Sequence, residues 1–298
     1  MKKKIPVLEN PYLARGSWLK GAFHFHTTKS DGKIEPMEAV RRYAALGYRV
    51  AAPSDHHHIT LIPPGAFPGL LTIPAAEIGW PHILSIGACG EGKLPNESIP
   101  RALARIRRDR GFSVLCHPGW SDCSWQDIRR TWPVDAMEIY NHLCQIENAT
   151  GISLERWDMV LQSGRRVWGF ATDDSHFNQK YPQYAGGWVM IKAPSRNQSA
   201  VMRALKAGAF YSSSGPALYS LSASRGRITL HCSPVNELRA VADGVGAGGV
   251  LFSRKPRSRW TVEYSRWWHQ PESYVRLEMI DSRGRAAWTN PLFVVRGR

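Results

Sequence analysis

The chain is short of ordered cysteine. Its five cysteines, Cys89, Cys116, Cys123, Cys144 and Cys232, are odd in number, scattered and free of any Cys-x-x-Cys pair. That excludes a disulfide scaffold and a cysteine-built zinc site, and it suits a reducing compartment. Long apolar runs are missing too, so no membrane span is expected. The basic start, Met1 to Pro6, leads into Glu9, Asn10 and Pro11 in place of an apolar core. No secretory signal is read there, and the cytoplasm is the expected location. The Gly244–Gly249 stretch lacks both the G-x-G-x-x-G spacing and the βαβ context of a dinucleotide site, which leaves a turn. Acidic residues are also in deficit, 24 against 39 lysines and arginines, for a net charge of +15. Such a field draws anions, phosphate esters and nucleic acid among them. No arginine-rich run or nucleic-acid module accompanies the charge, so nucleic acid stays open as a partner without being required.

What is present is an ordinary globular composition, 43% hydrophobic and 21% charged over 298 residues, enough for one large domain and a small one. From about Trp18 to Tyr211, short apolar runs alternate with helical patterns. The runs are Leu19–Phe25, Tyr48–Pro53, Leu70–Ala76, His82–Ala88, Phe112–Cys116, Asp135–Tyr140, Val167–Ala171 and Gly187–Ile191. Helices are expected over Pro36–Leu46 with Gly47 as a left-handed cap, and over Pro100–Arg110 with Ser98 as N-cap and Gly111 closing it. Two more are expected at Leu154–Gln162 and Ser199–Lys206. This alternation predicts a parallel β/α sheet, closed or open. After Gly215-Pro216 the helical patterns stop. Segments Leu218–Ala223, Arg227–His231, Trp260–Tyr264, Tyr274–Met279 and Leu292–Val295 predict a small antiparallel β-sandwich-like domain. The expected domains are therefore 1–215 and 216–298.

Metal-competent side chains fall at one run end after another. His24 and His26 close the first, and i, i+2 spacing on an extended chain puts both imidazoles on one face. Asp31 follows at a turn. Asp55 and His56 end the second run, Glu77 ends the third, His82 begins the next and His117 ends another. Glu138 and Asn141 lie near the end of Asp135–Tyr140, and Asp174 and His176 repeat the i, i+2 spacing. Each has an ordinary alternative when taken singly: Asp31 as a turn residue, Glu77 as a paired carboxylate, His82 as a core histidine, Asp174 as an N-cap. Asp173 adjoins Asp174, and only one of the two can face the same way. Together they match a β/α barrel, whose chemistry sits where several strands end. Imidazole and carboxylate without thiolate suit zinc, manganese or iron. His57 and His58 are expected to be bystanders or to face substrate.

The segments Phe23-His-Phe-His-Thr-Thr-Lys-Ser-Asp-Gly32, Ser54-Asp-His56, Ala76-Glu-Ile-Gly79, His82-Ile-Leu, Cys116-His-Pro-Gly119, Glu138-Ile-Tyr-Asn141 and Thr172-Asp-Asp-Ser-His176 resemble the PHP (polymerase and histidinol phosphatase) superfamily. The nearest branch resembles the bacterial carbaryl hydrolases, and the likeness spans nearly the whole chain. It implies a distorted (β/α)7 PHP barrel with a small C-terminal antiparallel β domain. Two or three divalent metal ions (Mn, Zn or Fe) would sit at the barrel mouth. The implied ligands are His24, His26, Asp31, His56, Glu77, His82, His117, Asp174 and His176. One departure is His57, which stands where the family has Asp or Asn after its Thr-Asp-His.

Three activities compete. The first is hydrolysis of a small anionic phosphate ester or nucleotide by water activated at a metal cluster, with Asp55 orienting a ligand histidine and His117 or His176 protonating the leaving group. The second is hydrolysis of a carbamate, amide or ester at the same centre. The third is a non-catalytic basic nucleic-acid-binding module. Against the third stands the fact that none of the nine positions carries an inert residue.

Overall fold

A computed structural model of the chain describes residues 5–87, 90–178, 180–267 and 269–295. Ala88, Cys89 and Trp268 lie outside them. In chain order the first strands are β1 (Ser17–Ala22), β2 (Val50–Ala51), β3 (His58–Ile59), β4 (Leu71–Thr72), β5 (Ala75–Ile78) and β6 (Ile83–Ile86). Next come β7 (Gly92–Lys93), β8 (Phe112–Leu115), β9 (Ala136–Asn141), β10 (Trp168–Thr172), β11 (Trp188–Ala193) and β12 (Phe210–Ser213). The rest are β13 (Leu218–Ser224), β14 (Arg227–Ala242), β15 (Gly249–Val262), β16 (Tyr274–Ile280), β17 (Ala286–Thr289) and β18 (Leu292–Phe293). The helices are α1 (Pro36–Ala45), α2 (Ile99–Arg108), α3 (Trp125–Arg130), α4 (His142–Asn148), α5 (Leu154–Gln162) and α6 (Gln198–Lys206). Among the described residues, no helix is long and apolar enough to cross a membrane.

The helices form for local reasons. In α1, Pro36 occupies the first turn, where its missing N–H costs nothing, and Ala39, Val40 and Tyr43 bury one face. Gly47, at φ 77°, then takes the left-handed position. α2 ends differently from expectation. Arg110 takes the left-handed turn (φ 58°), while Gly111 is wedged where a Cβ would stand 3.0 Å from the Ile86 carbonyl oxygen. Ser98 is the N-cap residue of α2 but makes no capping bond. The short helices α3 and α4 were not anticipated. α3 carries a capping box built by Ser124 and Asp127, and α4 is capped by Asn141.

The strand ladders do not by themselves show the expected (β/α)7 barrel. They form an eleven-stranded sheet whose main path runs β13-β14-β16-β17-β12-β11-β1-β2-β4, a five-stranded sheet β10-β9-β8-β6-β5, and the pair β3-β7. Several pairings are antiparallel, including β1 with β11, β5 with β6 and β6 with β8. The reason is plain at β5–β6. Only Gly79–Pro81 and His82 separate these strands, too short a link for the crossover that a parallel pair needs. Two parallel bridges, Phe25 with Ser175 and His56 with Glu77, join the two larger sheets at the end that carries the histidines. Between the sheets, Phe23, Phe112, Phe170 and Phe210 meet Val50, Val114, Val189 and Ile191 in one buried cluster. After β12 the chain is strand and turn, as expected, and residues 243–248 reverse it between β14 and β15. The expected sandwich-like segment is continuous with the preceding sheet, through β12 paired to β17.

Candidate metal centre

The site is assembled where β1, β5, β8 and β10 end. Past β1 the extended chain turns His24 and His26 inward, both fully buried, while Phe25 between them packs on Tyr43 and Phe177. The following turn is tight. A Cβ on Gly32 would lie 2.3 Å from the His26 carbonyl oxygen, so only glycine lets the chain fold back and present Asp31. Beyond β10, Asp174 adopts φ 54°, which throws it and Asp173 to opposite sides. Asp174 joins the histidines. Asp173 instead accepts bonds from the Tyr43 hydroxyl and from the amides of Ala185, Gly186 and Gly187.

Glu77 is the hub. Its Oε1 lies 2.8 Å from His82 Nδ1 and 3.0 Å from His117 Nε2. Its Oε2 lies 3.1 Å from His56 Nδ1, 3.3 Å from His26 Nε2 and 3.4 Å from His24 Nε2. Asp174 Oδ1 is 3.2 Å from both His24 Nε2 and His26 Nε2. Asp31 Oδ2 is 3.2 Å from His176 Nε2 and 3.7 Å from His56 Nε2. All nine expected ligand residues are thus brought together. They fall into overlapping groups that could hold metal, among them His24, His26 and Asp174; His26, Asp31, His56 and His176; and His56, Glu77 and His82.

A test of fit comes from the buried ring nitrogens. Nε2 of His24 and of His26 has no hydrogen-bond partner among the described residues, a costly state for a buried polar atom. Two atoms bound tetrahedrally to one ion at 2.0–2.1 Å stand about 3.3 Å apart. That is the spacing these nitrogens keep from Glu77 Oε2 and Asp174 Oδ1. The tautomers agree as well. His24 Nδ1 sits 2.6 Å from Glu138 Oε1, and His176 Nδ1 sits 3.0 Å from the Asp174 carbonyl oxygen. Each acceptor holds the proton on Nδ1 and leaves Nε2 bare toward the cluster. The residues fit divalent ions.

The electrostatics point the same way. Burial opposes charge on His24, yet Asp174, Glu138 and Glu77 raise its pKa well above the ordinary value. Burial likewise opposes charge on His26, but Asp174 and Glu77 push it up to about 9. Burial works against Glu77 and Asp174 ionising, and the surrounding histidines nonetheless hold both below the usual carboxylate range. His56, half-buried, is lowered to about 4, chiefly by desolvation. Without a metal, the buried carboxylates draw protons onto His24, His26 and His117.

Asp55 is placed apart from these groups. Fully buried, it accepts bonds from the Thr27 amide and hydroxyl and from the hydroxyls of Ser30 and Thr60. Ser30 in turn faces His26 Nδ1 at 3.4 Å and Asp31 Oδ1 at 3.2 Å, so Asp55 reaches the cluster through the turn it holds. His57 and His58 lie outside the metal-competent groups. Sequence reasoning noted Glu138 but gave it no role. It is buried and also accepts from the His117 amide, Asn141 and Thr172. Its signal was a carboxylate inside an otherwise apolar strand. A cavity of about 410 Å³ opens over the cluster, lined by Asp31, Lys33, His82, His117, Trp120 and His176 among others.

No protein-family model matches the sequence, and no curated protein matches it. Among solved structures, the chain is similar to a two-domain protein from Bacteroides vulgatus ATCC 8482 containing a predicted PHP-like metal-dependent phosphoesterase. The TM-score is 0.54 at 17% identity, covering 97% of this chain and 98% of that one. It is also similar to an amidohydrolase from Chromobacterium violaceum solved with bound sulfate and no metal, with a TM-score of 0.42 at 14% identity over 63% of this chain and 96% of that one. The first likeness is one of fold, and it extends through the C-terminal strands.

Proposed function

We propose that this chain is a metal-dependent hydrolase of the PHP superfamily that acts on phosphate esters, mono- or diester, of small molecules. The observation that carries the proposal is the pair of buried, unpartnered Nε2 atoms on His24 and His26, spaced from Glu77 and Asp174 as ligands of one ion are spaced. Two or three divalent ions, manganese, zinc or iron, are the proposed complement. Bound there, they would supply Lewis acidity toward a phosphoryl oxygen and water acidic enough to ionise near neutral pH.

The chain's own groups do the rest. His24, His26, Glu77 and Asp174 would hold one ion; Asp31, His56 and His176 a second; Glu77 with His82 and His117 a third. His117, on the Trp120 side of the cavity, or His176, on the Lys33 side, is the proposed proton donor to the departing oxygen, whichever of the two is not committed to metal. Glu138 and Asp55 are positioning residues, one behind His24 and one behind the turn that carries Asp31. The net charge of +15 favours an anionic substrate. Residues 1–215 are proposed to carry the chemistry and 216–298 to buttress it.

The test is turnover of matched chromogenic phosphomonoester, phosphodiester and carbamate substrates after reloading with each metal. Phosphate-ester hydrolysis that needs metal and vanishes in Asp174→Asn is expected. Carbamate hydrolysis alone would overturn the phosphoester assignment.

A further inference from the structure

Tryptophan is costly to expose, because its large apolar surface gains most from burial. Among the described tryptophans only Trp80 (62% exposed) and Trp120 (47%) count as exposed, and they stand side by side at the metal centre. Their ring centroids are 6.3 Å apart at 73°. Each is carried by the same turn as a candidate ligand. Trp80 lies two residues before His82 and meets its ring edge-on at 5.2 Å. Trp120 lies three residues after His117 and meets that ring at 5.0 Å and 81°. Shielding the histidines would not explain so much exposed ring surface.

The turns hold the pair in place. Ser121 N donates to the His117 carbonyl and Cys123 N to that of Pro118. Gly119, whose Cβ would stand 2.4 Å from the Thr150 carbonyl oxygen, is the only residue type the path accepts. Beyond Trp80 a second hollow, about 680 Å³, continues along Pro81, Ile99, Pro100 and Arg130. An L-shaped pair of rings with open space beyond offers one face for stacking and one edge for a T-shaped contact.

We infer that Trp80 and Trp120 form a subsite for a planar aromatic ring, so that the enzyme selects phosphate esters whose organic part carries a nucleobase or an aryl group. This rests on the phosphoesterase reading above and names its substrate class.

The test uses pairs that differ only in the ring: adenosine 5′-monophosphate against ribose 5-phosphate, and benzyl phosphate against cyclohexylmethyl phosphate. KM is measured on the metal-loaded protein, and binding of the same compounds is measured by equilibrium dialysis. The aromatic member of at least one pair is expected to be preferred by about tenfold or more, as base–aromatic stacking provides. Preference in the first pair alone identifies a nucleotide, and in the second alone an aryl ester. The preference should collapse toward one in Trp80→Ala/Trp120→Ala and largely survive in Trp120→Phe. Hydrolysis of both members with equal KM would overturn the subsite and leave the phosphoesterase reading standing. Preferential binding without hydrolysis would do the reverse. Failure to bind either aromatic compound in preference to its partner would also overturn the subsite.

Discussion

Two clusters of buried charge lie in this molecule, and they are built to opposite ends. Beneath α5, the Arg276 guanidinium, 2% exposed, meets Asp158 at 2.8 and 2.6 Å and Glu278 at 2.5 Å, and it packs 5.0 Å above the Trp157 ring. Tyr274 donates to Asp158 as well. Arg239 reaches Glu278 as well, at 3.8 Å, so two cations meet two anions and the cluster closes on itself. At the strand ends, Glu77, Asp174 and Glu138 face the imidazoles of His24, His26, His56, His82, His117 and His176, with no arginine or lysine paired to them among the described residues, and ring nitrogens are left bare. A buried charge that finds its partners within the chain holds the fold together; one that does not is a place for something the chain must acquire.

The sharpest way to break this contrast is at the open cluster. Asp174→Asn should cut metal-dependent turnover by about a thousandfold or more, since it removes the negative charge of the carboxylate that lies 3.2 Å from two bare nitrogens. Metal content by elemental analysis should fall with it, while circular dichroism stays that of the folded protein. At the closed cluster, Arg276→Ala should do the opposite. It should cost about 3–5 kcal/mol of stability by leaving Asp158 without its cation and Glu278 with the more distant Arg239, seen in denaturant unfolding, with metal stoichiometry retained.

Acidity separates the two next. In the metal-free protein His26 is raised to about 9 from an ordinary value near 6.5. Stability from its protonation is therefore complete below pH 6.5 and lost as pH climbs through 9, on the order of 3 kcal/mol. The melting temperature of the metal-free form should fall across that window. The loaded form should not follow, because metal displaces the protons. The smallest effect is expected from Glu138→Gln, which loosens His24 and should weaken metal binding about 10- to 100-fold by competition with a chelator.

The sequence made the candidate ligands legible because strand spacing turns His24 and His26, or Asp174 and His176, into statements about a shared direction. It made α1 and α5 legible for the same reason, since their apolar faces repeat at helical spacing. Strand direction was not legible at β5–β6, where the four residues Gly79 to His82 read equally as the start of a run and as a hairpin turn. The direction Asp55 faces was not legible, because adjacency to His56 says nothing of which way a buried carboxylate points; three hydroxyls fix it toward Thr27, Ser30 and Thr60. Glu138 acts on a histidine 114 residues away, a relation that no local pattern carries.

The pairing of β12 with β17 sets a limit on dissection. β17 covers the outer side of β12, and Asn290 just beyond it bonds the Gly169 amide and the Gly208 and Phe210 carbonyls. Cutting the chain after Gly215 would leave β12 as a bare edge with its amides and carbonyls facing outward, a template for strand-to-strand aggregation. Anyone wishing to express the histidine-bearing half alone would have to supply that missing neighbour.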